Sequence, residues 1–147
     1  MKIQIERLNN AVYLRATNED GATLDIDGAP SVGGENKGFR PMQMLLAALG
    51  GCSTIDIVSI LKKQRQPVDD ISLTVEGERE PGVEPSLFRT IHVHFTLKGN
   101  LDEDKVRKAV ELSMEKYCSV ARTLEKTAAI TYSFSVRKDQ PAPTAAQ

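Results

Sequence analysis

The sequence predicts an α+β fold with largely antiparallel sheets, and two observations support this class. Apolar and polar residues alternate in six short segments, as they do in half-buried strands. Two longer segments repeat their apolar residues at helical spacing, and a short helical segment follows the second. The predicted order is therefore βββ-α-ββ-αα-β, and runs of strands with few helices are typical of α+β proteins.

The N-terminal residues predict a three-stranded meander followed by a loop. The strands begin at about Ile3, Val12 and Leu24, and turn-forming residues separate them. Residues 28–40 then contain four glycines and one proline. This composition predicts a mobile loop.

A long helix is predicted from Pro41 to about Lys63. It is apolar on almost all sides, which is typical of a helix in the interior of a fold. One sheet covers only one side of such a helix, so we expect a second copy of the chain to cover the other. Gly50-Gly51 lies in the middle of the helix, where two glycines lower the stability of the helix by about 2 kcal/mol relative to two alanines. Either another segment approaches the backbone there, or the helix bends.

Two strands, two helices and a last strand are expected after the central helix. The alternating runs lie around Leu73, Val93 and Phe134. Asn100, with a glutamate three residues later, resembles the capping box that begins a helix. Ser119 begins the shorter second helix, which ends at about residue 124.

Length and charge limit the class of protein. With 147 residues the chain is the size of one domain, which we place at 1–138, with 139–147 as a disordered tail. The 19 basic and 20 acidic residues leave no positive excess, so neither nucleic acid nor an anionic membrane is an expected partner. The N-terminus has no apolar signal region and no apolar run of about 18 residues occurs, so we expect a cytoplasmic protein.

The two cysteines are the strongest candidates for chemistry. Cys52 and Cys118 lie 66 residues apart, and in a reducing compartment they are either buried thiols or reactive ones. Gly50-Gly51 leaves an open wall beside the Cys52 sulfur, which a small substrate can reach. Cys118 lies at a junction between two helices, where a helix N-terminus lowers the pKa of a thiol.

Together the cysteines suggest a redox pair. One thiolate is oxidised to a sulfenic acid, and the other resolves it as a disulfide. This requires the two α-carbons to lie within about 7 Å of each other.

A histidine pair offers a weaker alternative. His92 and His94 share one face of a strand, as zinc ligands do, but further ligands must converge on them. Ile91 and Val93 mark the opposite face as the core side. We therefore expect the histidines to face solvent, and no metal site.

Two motifs resemble the OsmC/Ohr family. They are PMQMLLAALGGCSTIDIVSIL around Cys52 and KYCSVARTLEK around Cys118. The GGC and KYCSV contexts resemble the OsmC-like branch more than the organic hydroperoxide resistance branch. The resemblance covers nearly the whole chain. It implies an intertwined homodimer, in which sheets from both chains wrap two central helices, with active sites at the interface.

The resemblance also implies an activity. Enzymes of this family reduce organic hydroperoxides or hydrogen peroxide through a cysteine pair, in defence against oxidative stress. Cys52 matches the peroxidatic position and Cys118 the resolving position. The electrons come from a dithiol such as a reduced lipoyl group, and no metal, flavin or haem takes part.

The family places an arginine, held by a glutamate, beside the reactive thiolate. The position of the glutamate is Gln43 in this chain, which forms no ion pair but accepts a hydrogen bond from a guanidinium. Arg40, just before the central helix, is the first candidate for the arginine, and Arg15 in the second strand is the alternative. The substitution at Gln43 leaves open a second function: a non-catalytic protein that binds a small hydrophobic ligand or senses redox state at the dimer interface.

Overall fold

The α+β class is confirmed by the computed structural model, which describes residues 1–138. The tail predicted over 139–147 lies outside the described residues. The chain divides into two compact units, residues 1–45 and residues 46 onward, which are described separately below. The boundary falls inside the central helix, and the single domain expected over 1–138 stays a prediction.

The elements follow the predicted order. They are β1 (Ile3–Arg7), β2 (Leu14–Asn18), β3 (Thr23–Ile26), a 3₁₀ turn (Pro30–Val32), α1 (Pro41–Lys63), β4 (Asp70–Arg79), β5 (Phe88–Lys98), α2 (Glu103–Leu112), a π-helical turn (Ser113–Tyr117), α3 (Ser119–Leu124) and β6 (Ala129–Arg137).

The N-terminal unit contains the predicted meander, in which β1, β2 and β3 pair antiparallel in that order. The second strand begins at Leu14 rather than at Val12. The reason is the side chain of Asn9, whose Oδ1 accepts the backbone N–H groups of Ala11 and Tyr13. These hydrogen bonds form a turn that includes Val12, which the alternation of apolar residues had predicted to be the start of the strand.

The glycine-rich loop follows a defined path around one buried carboxylate. Asp27 is only 2% exposed, and it accepts backbone N–H groups from Gly28, Glu35 and Lys37 at 2.8, 2.9 and 3.0 Å. These hydrogen bonds hold the pKa of Asp27 below its ordinary value, and the bond from the Lys37 N–H has the largest effect. A Cβ on Gly38 would lie 2.5 Å from the carbonyl of Asp25, so only glycine fits there.

The C-terminal unit contains the second sheet, in the order β4-β5-β6. β4 and β5 pair antiparallel, whereas β5 and β6 pair parallel. A parallel pair requires a crossover connection, which here consists of α2, the π-helical turn and α3. The sheets are therefore largely antiparallel, as predicted, with one parallel pair.

The two faces of β5 are as predicted. Ile91, Val93 and Phe95 are buried in the core. His92 and His94 lie on the opposite face, where their rings contact the hydroxyl groups of Thr131, Ser133 and Ser135 on β6. The histidines belong to a polar ladder on the outer face of the sheet.

One side of α1 packs into the C-terminal unit. Leu49, Ile57 and Leu61 are fully buried, whereas Ile55 is 73% exposed and Val58 is exposed as well. The helix predicted to be interior is therefore covered on one side only within the chain.

By length and mean hydropathy α1 would also qualify as a membrane-spanning helix. This property is not evident from uninterrupted apolar runs, because polar residues interrupt the apolar ones along α1. A core helix satisfies the same criterion.

The central glycine pair has two different environments. A Cβ on Gly50 would lie 2.9 Å from Leu73 Cδ1 and 3.1 Å from Val75 Cγ2, whereas a Cβ on Gly51 would meet no atom within 4 Å. Close approach of β4 therefore accounts for the first glycine. The second leaves space beside the following residue, Cys52.

The start of α2 differs from the prediction. The N-cap is Asp102, not Asn100, and its carboxylate accepts the backbone N–H groups of Asp104 and Lys105. The predicted N-cap lies two residues before the observed one. Asp102 is also a strong N-cap residue, and the sequence pattern does not distinguish it from Asn100. The short helix α3 begins at Ser119, as predicted.

The environments of the two glycines predict that substitution by alanine changes the free energy of unfolding differently at the two positions. Gly51→Ala is expected to raise the free energy of unfolding by about 0.5–1 kcal/mol, because alanine favours the helix. Gly50→Ala is expected to be less stable than Gly51→Ala by about 1 kcal/mol or more, because its methyl group overpacks against β4. Urea unfolding followed by circular dichroism measures both. Equal gains at the two positions would contradict the close packing of Gly50.

Candidate active site

The C-terminal unit brings the two cysteines together. Cys52 lies in mid-α1, and Cys118 lies between the π-helical turn and α3. Their sulfur atoms are within 4.8 Å of each other, and neither forms a disulfide in this structure. Because a disulfide bond is about 2.05 Å long, its formation requires an approach of less than about 3 Å. The two sulfur atoms of the predicted redox pair are therefore close neighbours, and their pairing in a redox cycle stays a prediction.

Cys118 is held in place by backbone hydrogen bonds. It is the N-cap of α3, where its Sγ accepts the backbone N–H of Ala121 at 3.4 Å. Its own N–H donates to the carbonyl of Ser113 at 2.8 Å, inside the π-helical turn. Such turns occur frequently at functional sites.

Burial raises the pKa of the Cys118 thiol to about 11, which corrects the expected decrease. The N–H groups of Ala121 and Val120 lower the pKa, as expected at a helix N-terminus, but desolvation outweighs them. Cys52 raises the pKa further as a neighbour. The sequence indicates the end of the helix but not how deeply the thiol is buried. Burial decides the direction of the pKa shift of Cys118.

Cys52 is the more accessible of the two cysteines. It is partly exposed, whereas Cys118 is fully buried, with 0% of its surface accessible. The open space at Gly51 lies beside it in the sequence. Of the two cysteines, Cys52 is therefore the one that is in contact with solvent.

A carboxylate that the sequence analysis missed completes the cluster. Asp56 follows Cys52 by four residues on α1, which puts both side chains on one helix face. A carboxylate oxygen of Asp56 lies within 4.8 Å of both sulfur atoms. The hydroxyl group of Ser113 lies 3.2 Å from Asp56 Oδ2 and 3.2 Å from the carbonyl of Ser53. The spacing Cys-x-x-x-Asp on a predicted helix was the available signal.

A cavity opens next to this cluster. Its volume is about 530 Å³, within the range of small-molecule sites. It is lined by Asp56, Ser59, Ile60, Lys63, Gln64, Leu112 and Tyr117. Asp56 therefore borders both the cavity and the thiol pair.

Gln43 and Arg40 contact each other in the N-terminal unit, but not as expected. Gln43 Oε1 accepts the backbone N–H of Arg40 at 3.0 Å, rather than a guanidinium N–H. Gln43 is the third residue of α1, so this bond is half of a capping box. The guanidinium of Arg40 instead donates to Asn36 Oδ1 at 2.7 Å.

Arg15 is held in an ion pair of the same unit. It faces Asp25 across β2 and β3, and its Nε and Nη2 donate to the carboxylate at 2.7 and 3.0 Å. The hydroxyl group of Tyr13 donates to the same carboxylate at 2.6 Å. Arg15 and Tyr13 lower the pKa of Asp25 to about 2. A role of Arg15 or Arg40 at the thiolate stays a prediction.

Comparison with known protein families matches most of the chain. A family model described as OsmC-like protein matches residues 34–133, which include both cysteines. The chain belongs to the OsmC-like family. This membership confirms the resemblance seen in the sequence.

Relatives of the chain include proteins of bacteria. Protein YhfA of Escherichia coli strain K12 is 49% identical over 102 residues, which are 69% of this chain and 75% of that protein. A hypothetical protein from Aquifex aeolicus VF5 is 30% identical, with a TM-score of 0.81 over 95% of this chain and 97% of that one.

The fold is also that of proteins named for peroxide resistance. An organic hydroperoxide resistance protein OsmC from Legionella pneumophila has a TM-score of 0.69 and 20% identity, over 92% of this chain and 98% of that one. At this identity the likeness shows the shared fold.

The environments of the two thiols predict different reactivity toward alkylating reagents. With a pKa of about 11, Cys118 carries only about 0.1% thiolate at pH 8. Its labelling by iodoacetamide is therefore expected to be slower than that of Cys52, and to keep rising with pH beyond 9. Peptide mass spectrometry after timed labelling measures each rate. Faster labelling of Cys118 at pH 7 would contradict its burial.

Proposed function

We propose that this OsmC-like protein is a thiol-dependent peroxidase, which reduces organic hydroperoxides or hydrogen peroxide in the cytoplasm as a defence against oxidative stress. The observation that carries the proposal is the approach of the Cys52 and Cys118 sulfur atoms to within 4.8 Å. The hydroperoxide resistance name of the Legionella structural neighbour supports the same activity.

The difference in exposure supports the roles of the two cysteines. Partly exposed Cys52 meets the peroxide, and its thiolate attacks the terminal peroxide oxygen. The S–O bond forms as the O–O bond breaks, and the departing alkoxide takes a proton and leaves as an alcohol. For hydrogen peroxide the second product is water.

The buried Cys118 then resolves the sulfenic acid. Its sulfur attacks the Cys52 sulfur, the S–S bond forms, and the hydroxyl group leaves as water with the Cys118 proton. An external dithiol such as a reduced lipoyl group reduces the disulfide by exchange and is itself oxidised to a disulfide. Arg40 and Arg15 remain our candidates for stabilising the thiolate, with Gln43 as a positioning residue.

The cavity of about 530 Å³ supports an organic substrate. Leu112, Tyr117 and Ile60 supply apolar walls, and Lys63 and Asp56 supply charged groups at its border. A hydroperoxide has an apolar tail and a polar reacting end, which such a lining accommodates.

The exposed side of α1 supports a homodimer. Ile55 is 73% exposed on a helix whose opposite side is fully buried in the C-terminal unit. Large apolar side chains exposed on such a helix are typical of a surface that another protein covers. We propose that a second copy of the chain packs against this side of α1, close to Cys52.

Peroxide consumption with reduced lipoamide as the electron donor tests the activity. Cys52→Ser is expected to abolish turnover. Cys118→Ser is expected to react once with hydroperoxide and then stop, because no second thiol resolves the sulfenic acid. Mass spectrometry after trapping with dimedone detects that intermediate on Cys52.

The serine variants also distinguish the alternative function. Unchanged turnover in Cys52→Ser would overturn the assignment of the peroxidatic thiol. A wild-type protein that consumes no peroxide but binds an apolar ligand in the cavity would instead indicate the non-catalytic binding function.

The homodimer predicts a further effect of substitution on α1. Ile55→Glu is expected to shift the protein from dimer to monomer at micromolar concentration, because it puts a charge into an apolar interface. Sedimentation velocity measures this shift. Leu87→Glu, at another exposed apolar position, is the matched control and is expected to leave the dimer intact. A wild-type monomer would refute the proposal.

A further inference from the structure

We propose that the reduced Cys52–Cys118 pair and Asp56 together form a site for a thiophilic divalent cation such as Zn²⁺. Disulfide formation then abolishes the site. This inference goes beyond peroxide reduction, because binding of the cation requires no turnover. The proposed site also gives a function to Asp56, which was not predicted from the sequence.

The geometry of the three side chains fits a zinc ion. Their ligand atoms lie within 4.8 Å of one another. Zn–S bonds of about 2.3 Å and Zn–O bonds of about 2.0–2.2 Å separate the ligands of a tetrahedral ion by roughly 3.5–3.8 Å. Each pair of ligand atoms therefore needs to approach by roughly 1.0–1.3 Å at most. With three protein ligands the fourth position is left to a solvent molecule.

The backbone positions the ligands independently of one another. One turn of α1 sets the spacing of Cys52 and Asp56, and the α3 N-cap holds Cys118 against the backbone N–H of Ala121. The Ser113 hydroxyl group lies 3.2 Å from Asp56 Oδ2, where it orients the carboxylate. Such outer contacts are characteristic of built metal sites.

The charges of the three ligands also favour a cation. When both thiols are deprotonated, three negative charges lie close together, and a divalent ion offsets most of their repulsion. Binding releases the two thiol protons to solvent. Partial exposure of Cys52 and Asp56 gives the ion a route from solvent, whereas Cys118 closes the site from the inside.

Metal binding and oxidation exclude each other. A two-electron oxidant converts the two thiolates into one disulfide, which removes both sulfur ligands and leaves Asp56 alone. Oxidation by a hydroperoxide or by the thiol oxidant diamide therefore releases the ion. Conversely, bound Zn²⁺ slows the oxidation of both thiols without preventing it.

Zinc titration of the reduced, untagged protein against a chromophoric chelator tests the site. One Zn²⁺ per chain is expected, with complete release after diamide oxidation. Co²⁺ substitution supplies a second readout, because thiolate ligation produces a charge-transfer absorption that carboxylates alone do not give. Diamide and zinc binding both operate without peroxide turnover, so failure here is distinguishable from failure of the peroxidase.

Variants identify the ligands. Cys52→Ser and Asp56→Asn are expected to weaken binding by more than the roughly 10–100-fold cost of losing an outer contact. Ser113→Ala is expected to weaken binding within that range. Asp104→Asn, at an exposed position on α2, is the matched control and is expected to bind as the wild type does. Circular dichroism and melting temperature confirm the fold of each variant.

Three outcomes would overturn the proposal. The first is wild-type binding no tighter than that of the Cys52→Ser variant. The second is unchanged affinity in Asp56→Asn, which would exclude the carboxylate from the site. The third is retention of the ion after diamide has formed the disulfide.

Discussion

Ser113 connects the two segments on which the candidate site depends. Its hydroxyl group lies within hydrogen-bond distance of the Ser53 carbonyl and the Asp56 carboxylate on α1, and its carbonyl accepts the N–H of Cys118. One buried residue thus bonds to the elements that carry both thiols. Because a buried hydroxyl group is costly to leave unpaired, these bonds favour one relative placement of the two sulfur atoms.

The two functions proposed for this cluster share one condition, a reduced thiol pair. Nucleophilic attack on a peroxide needs a single exposed thiolate, whereas cation binding needs both sulfurs and the carboxylate of Asp56. Asp56 therefore distinguishes the two proposals, because only cation binding uses its carboxylate.

The sequence predicted the elements well because periodicity reports which face of a strand or helix is buried. The motifs indicated Cys52 and Cys118 as candidates, but their separation of 66 residues in the sequence does not indicate the distance between their sulfur atoms. The largest omissions were side-chain bonds to backbone, as at Asp27. Such hydrogen bonds depend on the path of the backbone in space rather than on the periodicity of apolar residues in the sequence. The sign of the Cys118 pKa shift was wrong for a related reason, since it depends on burial.

The parallel pairing of β5 with β6 has a consequence for biosynthesis. Cys118 lies in the crossover that joins these strands, and β6 (Ala129–Arg137) follows the crossover in the chain. The crossover is anchored at both ends only once β6 has been made and has paired with β5. A growing chain that has not yet added β6 therefore carries Cys52 without a fixed Cys118 beside it, and the two sulfur atoms come together only after β6 has paired with β5.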